Sequence, residues 1–87
     1  MKQKKIDEYV KKMQQIKNDI DELASEFENE ESAMQDYFDN RSEAWQEGDK
    51  GEAFNEQMVE VSEIRDGLEC LSNDLDDIVS RVEGLAE

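Results

Sequence analysis

The sequence contains no proline and no histidine, and its 87 residues include only one cysteine and four glycines. Without proline, nothing in the chain forces a long helix to break. Without histidine, the usual ligand sets of zinc and di-iron sites are missing, and no imidazole is available to activate Cys70 as a nucleophile. A single cysteine also excludes an internal disulfide, so a reduced intracellular setting is the simplest expectation.

Long apolar runs are absent as well. No segment approaches the roughly 20 apolar residues of a membrane span, and the lysine-rich N-terminus lacks the apolar stretch of a signal peptide. We therefore expect a soluble, cytoplasmic protein. Carboxylates are so abundant that no catalytic pair stands out, and the run NDLDD lacks the glycine and glutamate of a calcium loop. The sequence predicts no enzyme, no cofactor and no metal site.

Charged residues make up 40% of the chain, and the formal net charge is −15. Such a composition occurs in disordered chains as well as in long exposed helices. The apolar residues recur every three or four positions, which disorder does not require, so the pattern favours ordered helix. A chain this short buries a limited fraction of its surface, and self-association often completes the core.

Two stretches carry the heptad pattern of a coiled coil and predict helices over about residues 3–46 and 52–86. Glu30 interrupts the first pattern, so this helix either runs on with a polar layer or breaks near residues 29–32. The lack of glycine and proline there favours the continuous helix. Gly67, inside the second helix, either permits a close helix approach or is tolerated at the surface. The predicted seam residues are Ile6, Tyr9, Met13, Ile16, Ile20, Leu23, Phe27, Met34 and Tyr37 on the first helix, and Phe54, Val61, Ile64, Leu68, Leu71, Leu75, Ile78, Val82 and Leu85 on the second.

The run EGDKG, residues 47–51, predicts the turn between the two helices. We expect Gly48 to take the left-handed conformation that closes the first helix, and Gly51 to free the backbone for entry into the second. Asp49 is expected to cap the second helix, with Glu52 as the far half of a capping box.

Folding the helices back at this turn predicts an all-α fold, a long antiparallel helical hairpin that forms a single domain over residues 1–87. Trp45 and Phe54 are expected to meet across the corner. The second helix then runs out near Lys12, which leaves apolar residues at the start of the first helix without an intrachain partner. A second copy would cover them, so we expect a homodimer in which two hairpins form a four-helix bundle. The expected self-association residues are Ile6, Tyr9, Val10 and Met13.

Charge is distributed unevenly along the chain. Residues 1–17 hold six lysines against Asp7 and Glu8, for a net charge of +4, whereas the remaining seventy residues carry −19. This excess either keeps a helical surface solvated, or forms rows of carboxylates that imitate phosphates and attract a basic nucleic-acid-binding protein. Such a surface would repel nucleic acid itself. The two candidate partner-binding rows are Asp36, Asp39, Glu43 and Glu47, and Glu56, Glu60, Glu63 and Asp66.

The run YFDNRSEAWQEGDKGEAFNEQMVEV, residues 37–61, resembles the turn of a widespread class of small acidic helical-hairpin proteins encoded by bacteriophages. These proteins often read aromatic-Asp-Asn, then Gln, then a charged turn ending in Gly-Glu. The matching residues here are Phe38, Asp39, Asn40, Gln46, Gly51 and Glu52. The resemblance implies a hairpin without known catalytic residues, and it favours an inhibitor of a host nucleic-acid-binding or defence complex in the host cytoplasm.

A second and weaker resemblance, to the WXG-type secreted hairpins, rests on Trp45 and Gly48 before Phe54, with two residues between the tryptophan and the glycine. It implies a secreted effector. A third interpretation, a structural or scaffolding coiled-coil dimer, rests on the apolar residues that the hairpin leaves uncovered.

Overall fold

The computed structural model describes residues 1–86, and its regular structure over that range is helical. The helices are α1 (Gln3–Asp39), α2 (Glu43–Glu47) and α3 (Asp49–Glu83). Helices α1 and α3 lie antiparallel, so that the Met1 ammonium donates a hydrogen bond to the Leu85 carbonyl oxygen at 3.3 Å. The Cα atoms span 65 × 14 × 11 Å. The expectation of an elongated, all-α hairpin is confirmed at this level.

Helix α1 continues through Glu30, so the alternative break near residues 29–32 does not occur. Glu30 is exposed, and the polar layer of the seam lies one residue further on, at Glu31. Side-chain hydrogen bonds between residues four apart support this long helix along its solvent side. The donor and acceptor pairs are Gln3 with Asp7, Gln15 with Asp19, and Gln35 with Asp39.

The corner lies earlier in the chain than we expected, because α1 ends at Asp39 rather than near residue 46. The Asn40 side chain donates to the Asp36 carbonyl oxygen at 2.9 Å, which occupies an acceptor at the end of α1. The Ser42 hydroxyl then accepts from the Trp45 backbone N–H at 3.2 Å and caps α2. Asparagine and serine bond readily to nearby backbone groups, and they therefore favour helix ends over helix interiors.

Two expectations about the turn residues are wrong. Gly48 is extended, with φ −84° and ψ −177°, and among the described residues no glycine has a positive φ. Asp49 is the first residue of α3 rather than its cap, since Gly48 holds the cap position and no side chain caps this helix. Asp49 and Glu52 instead lie in the first turn, where carboxylates interact favourably with the helix dipole.

The two helical glycines in α3 differ in their surroundings. Gly51 is buried, and a Cβ atom there would overlap two backbone carbonyl oxygens of α2. Glycine is therefore needed at this position because α2 and α3 approach each other closely. A Cβ atom at Gly67 would meet nothing within 4 Å, so Gly67 is a surface glycine that permits no close approach.

The seam between α1 and α3 is rotated relative to the predicted one. In heptad notation the predicted seams combine positions d and g, whereas the structure buries positions a and d. The buried or half-buried residues at position a are Val10, Lys17, Ala24, Glu31 and Phe38 on α1, and Gly51, Met58, Arg65, Ser72 and Val79 on α3. Those at position d are Ile6, Met13, Ile20, Phe27 and Met34 on α1, and Phe54, Val61, Leu68, Leu75 and Val82 on α3.

The expectation that the start of α1 lacks an intrachain partner is also wrong. Ile6 is only 1% exposed, and Val10 and Met13 are half-buried in the hairpin. The early corner shortens α1, so α3 reaches back along the full length of its partner helix. Of the four expected self-association residues, only Tyr9 is exposed.

Candidate interaction surfaces

One side of the seam is held by polar contacts between positions a and e. The Lys17 ammonium lies 2.9 Å from the Asp21 carboxylate and 3.7 Å from that of Asp76 on α3. The Ser72 hydroxyl of α3 donates a hydrogen bond to Asp21. Because Asp21 and Asp76 both occupy position e, the e residues of the two helices lie on the same side of the hairpin.

These contacts change the protonation of two groups. The hydrogen bond from Ser72, followed by that from Lys17, holds the pKa of Asp21 below its ordinary value. The hydrogen bond with Asp21 raises the pKa of Lys17. The stabilisation from Asp21 is complete above the ordinary carboxyl pKa and is lost as the pH falls through the lowered pKa. That from Lys17 is complete below the ordinary amine pKa and is lost as the pH rises through the raised pKa, so both contacts hold at neutral pH.

A second polar contact lies at matching a positions nearer the corner. The Arg65 guanidinium is 3.0 Å from the Glu31 carboxylate on α1 and 3.0 Å from Asp66. Its Nε atom is buried and has no hydrogen-bond partner. An ion pair that is partly withdrawn from water adds little net stability, but losing one partner leaves the other charge unpaired. The pair therefore favours this alignment of α1 on α3 over a shifted one.

The opposite side of the hairpin exposes an apolar face. Position g lies across the seam from position e, so the g residues of both helices share this side. Eight of them are large apolar residues that are 39 to 52% exposed. We call them the g face; they are Tyr9, Ile16, Leu23 and Tyr37 on α1, Ile64, Leu71 and Ile78 on α3, and Leu85 just beyond α3. Single exposed apolar residues are ordinary, but eight on one side of the hairpin, interrupted on α1 by Glu30, form the kind of patch that is typical of interaction surfaces.

Four aromatic rings close the corner beside this face. Phe54 lies 5.1 Å from Tyr37, 5.8 Å from Trp45 and 6.4 Å from Phe38, measured between ring centroids. The predicted contact between Trp45 and Phe54 is therefore confirmed. The Arg41 guanidinium lies 4.3 Å from the centre of the Tyr37 ring, a cation–π contact.

Gln46 stabilises the corner through two hydrogen bonds, and the sequence pattern predicts no structural role for it. Its Nε2 donates to the carbonyl oxygens of Phe38 at 2.8 Å and Arg41 at 3.2 Å, which lie at and just beyond the end of α1. The other contacts at the helix ends come from Asn40, at the end of α1, and from Ser42, at the start of α2. Asparagine and serine close together in sequence are a recognisable signal of helix ends. The hydrogen bond from Gln46 to a carbonyl oxygen eight residues earlier is visible only in the fold.

The two predicted carboxylate rows are exposed but differ in continuity. The first is divided between the last turn of α1, with Asp36 and Asp39, and α2, with Glu43 and Glu47. The second runs along α3, where the carboxylate of Asp66 is paired with Arg65. Residues 28–66, the corner half of the rod, hold thirteen acidic and three basic side chains, for a net charge of −10.

Comparison with protein-family models, curated proteins and solved structures returned no match to this chain. Within residues 1–86, no three acidic or cysteine side chains are arranged to hold a metal ion. None of the helices described is both long enough and apolar enough to cross a membrane. The g face and the acidic corner, residues 28–66, are thus the two surfaces that suggest a function.

Proposed function

We propose that the protein is a non-catalytic protein-binding module that works as a pair of hairpins, joined through their g faces into a four-helix bundle. The exposed g face is the observation that supports this proposal. The side of the hairpin that carries the g face measures 65 Å by 14 Å between Cα atoms, a flat area of about 900 Å². Stable protein interfaces bury about 800 Å² per partner, so a second copy seated on this face would bury a sufficient area.

The energy of such a pair is also sufficient. Full burial of a large apolar side chain contributes about 1.5 to 3 kcal/mol, so each half-exposed residue of the g face contributes about 1 kcal/mol. Contributions from both copies together offset the loss of translational and rotational freedom, which costs about 4 to 15 kcal/mol.

Two lysines placed in the middle of the g face test the pair. In the double variant Leu23→Lys, Leu71→Lys we expect a monomer by analytical ultracentrifugation at micromolar concentration, with unchanged helical circular dichroism, because both side chains are half-exposed in the single hairpin. The matched control is Val59→Lys. Val59 is 53% exposed but lies off the g face, so this variant should remain dimeric. A wild-type chain that sediments as a monomer contradicts the proposal.

A second candidate function follows from the acidic corner. The charge of −10 over residues 28–66 favours a basic partner, and the resemblance to phage-encoded hairpins favours a host nucleic-acid-binding or defence protein that is blocked by imitation of nucleic acid. Both the class of partner and its inhibition are proposed here. The pair of hairpins would then serve as the rigid support of the acidic surface.

Charge reversal of the first row tests this candidate. Replacing Asp36, Asp39, Glu43 and Glu47 together by lysine should abolish salt-sensitive, DNA-competed retention of host proteins from a bacterial extract. Lysine at positions 36 and 39 suits the dipole at the end of α1, whereas lysine at position 43 opposes that of α2, so circular dichroism has to show that the variant is folded before its retention is compared. The control replaces the same four residues by their amides, which should weaken retention less. If the lysine variant folds and still retains the same proteins, imitation of nucleic acid is wrong.

A further inference from the structure

We infer that the two hairpins of the proposed pair lie antiparallel, with the corner end of each copy beside the open end of the other. The corner end is residues 28–66, and the open end is residues 1–17 with residues 76–86, since Lys17 contacts Asp76. The inference rests on the proposed pair and adds its orientation.

Only two arrangements place one g face on another with two-fold symmetry. If the axis runs along the rod, both corners lie at the same end and α1 of one copy faces α3 of the other. If the axis crosses the rod, the corners lie at opposite ends, α1 faces α1, and α3 faces α3. The centre of the second arrangement lies at Leu23 and Leu71, which are level with each other because their neighbours Asp21 and Ser72 are hydrogen-bonded.

The charges of the two ends favour the antiparallel arrangement. The corner end carries −10, whereas residues 1–17 carry +4 and residues 76–86 add one arginine against three acidic residues, so the open end carries +2. Salt screens exposed charges over about 8 to 10 Å, so in a rod 65 Å long each end interacts chiefly with what lies beside it. The parallel arrangement sets two strongly acidic ends together, and the antiparallel one sets each acidic end beside a basic segment.

The charged residues that border the g face, which we call its rim, also favour the antiparallel arrangement. Position c borders position g, and its exposed residues include Lys12 and Asp19 on α1 and Glu60, Asp74 and Arg81 on α3. In the parallel arrangement Lys12 faces Arg81 of the second copy, and Asp19 faces Asp74, so both pairs repel.

In the antiparallel arrangement, two-fold symmetry about Leu71 sets Arg81 level with Glu60 of the second copy, and this attractive pair occurs twice. Lys12 lies about one helical turn from the level of Glu30 of the second copy, the acidic residue that interrupts the g face. One kind of like-charge pair remains, between Asp19 and Glu26, and it also occurs twice. The balance of the rim is attractive in this arrangement and repulsive in the other.

Distances between nitroxide spin labels, measured by double electron–electron resonance on the full chain, test the orientation. Lys50 is exposed at the corner, and the variant Lys50→Cys, Cys70→Ser carries one label there. In the antiparallel pair the two labels should lie about one rod length, 65 Å, apart. In the parallel pair they would lie within about 35 Å, because bundle helices are about 10 Å apart.

The native cysteine provides the matched control. Cys70 is exposed and lies at the level of Leu71, near the middle of the rod, so labels on the wild-type chain should lie within about 35 Å in either orientation. A short Cys70 distance with a long Lys50 distance supports the inference. Short distances at both sites overturn the orientation but leave the pair intact. No measurable distance at Cys70 overturns the pair, and the inference with it.

A charge exchange on the rim gives an independent readout. The variant Arg81→Glu should raise the dimer dissociation constant about threefold to tenfold, since two exposed pairs are lost, and adding Glu60→Arg should restore it. In the parallel pair these two residues lie about 30 Å apart along α3, since they are 21 residues apart in a helix. Absence of rescue by the double variant therefore contradicts the antiparallel arrangement.

Discussion

Replacing Trp45 by alanine is expected to lower the free energy of unfolding by about 3 kcal/mol, the lower end of the range for an aromatic core residue because the side chain is half-buried. Its indole packs 5.8 Å from Phe54, 5.9 Å from Tyr37 and 6.1 Å from Phe38. Helix α2 has only five residues and cannot persist without tertiary contacts. The loss of Trp45 should therefore release α2 as well as the ring, and urea unfolding followed by circular dichroism measures the change.

The control for this prediction is Val59→Ala. Val59 is a 53% exposed apolar residue of α3, and its truncation should change the free energy of unfolding by about 0.5 kcal/mol or less. Equal losses in the two variants would mean that the corner contributes no more than the exposed helix surface. Trp45 would then be available for a partner, since tryptophan is enriched among the residues that dominate binding.

The second large effect is expected at Gly51. Substitution by alanine places a methyl group against two backbone carbonyl oxygens of α2, which cannot rotate away as a side chain would. Overpacking in a closed site costs about 1 to 3 kcal/mol, and we expect the upper end of this range. Thermal unfolding of Gly51→Ala should show a lowered melting temperature, although alanine is by itself the better helix former.

Gly67→Ala is the matched substitution, in the same helix but with open space around the new methyl group. It should raise the free energy of unfolding by up to about 1 kcal/mol, the difference in helix propensity. The two variants are thus expected to shift the melting temperature in opposite directions. A stabilising Gly51→Ala would show that α2 does not pack closely on α3 in solution.

The structure also gives a physical meaning to the residues that resemble the phage-encoded hairpins. Asn40 and Gln46 bind carbonyl oxygens around the end of α1, Phe38 joins the ring cluster, and Gly51 permits the contact between α2 and α3. These roles build a corner, and none of them requires a ligand. The resemblance therefore concerns the turn, and the proposed partner contacts are those of the g face and the acidic surface.

Much of the fold follows from local information. The three-and-four spacing of apolar residues, with no proline, is sufficient to predict two long helices, and the aromatic residues around the glycine run are sufficient to predict a corner where Trp45 meets Phe54. The position of that corner was missed by several residues, because the glycines of EGDKG suggest a turn more strongly than Asn40 and Ser42 do. Which of two plausible positions ends the first helix depends on tertiary contacts. Here these contacts are the packing of α2 against Gly51 and the hydrogen bonds of Gln46.

The spacing of apolar residues already shows that each helix carries a stripe along positions d and g, with some apolar residues at position a beside it, and the composition shows that residues 1–17 are basic while the rest of the chain is acidic. The contacts between α1 and α3 determine which flank of the stripe is buried. A neighbouring helix can cover about two of the three positions g, d and a. In this hairpin it covers a and d, where polar side chains make contacts across or beside the seam, and position g stays exposed. Those polar residues are Lys17, Glu31, Arg65 and Ser72. Periodicity states which residues share a stripe, but the choice between its two flanks depends on contacts between residues 30 to 60 positions apart, which no local pattern contains.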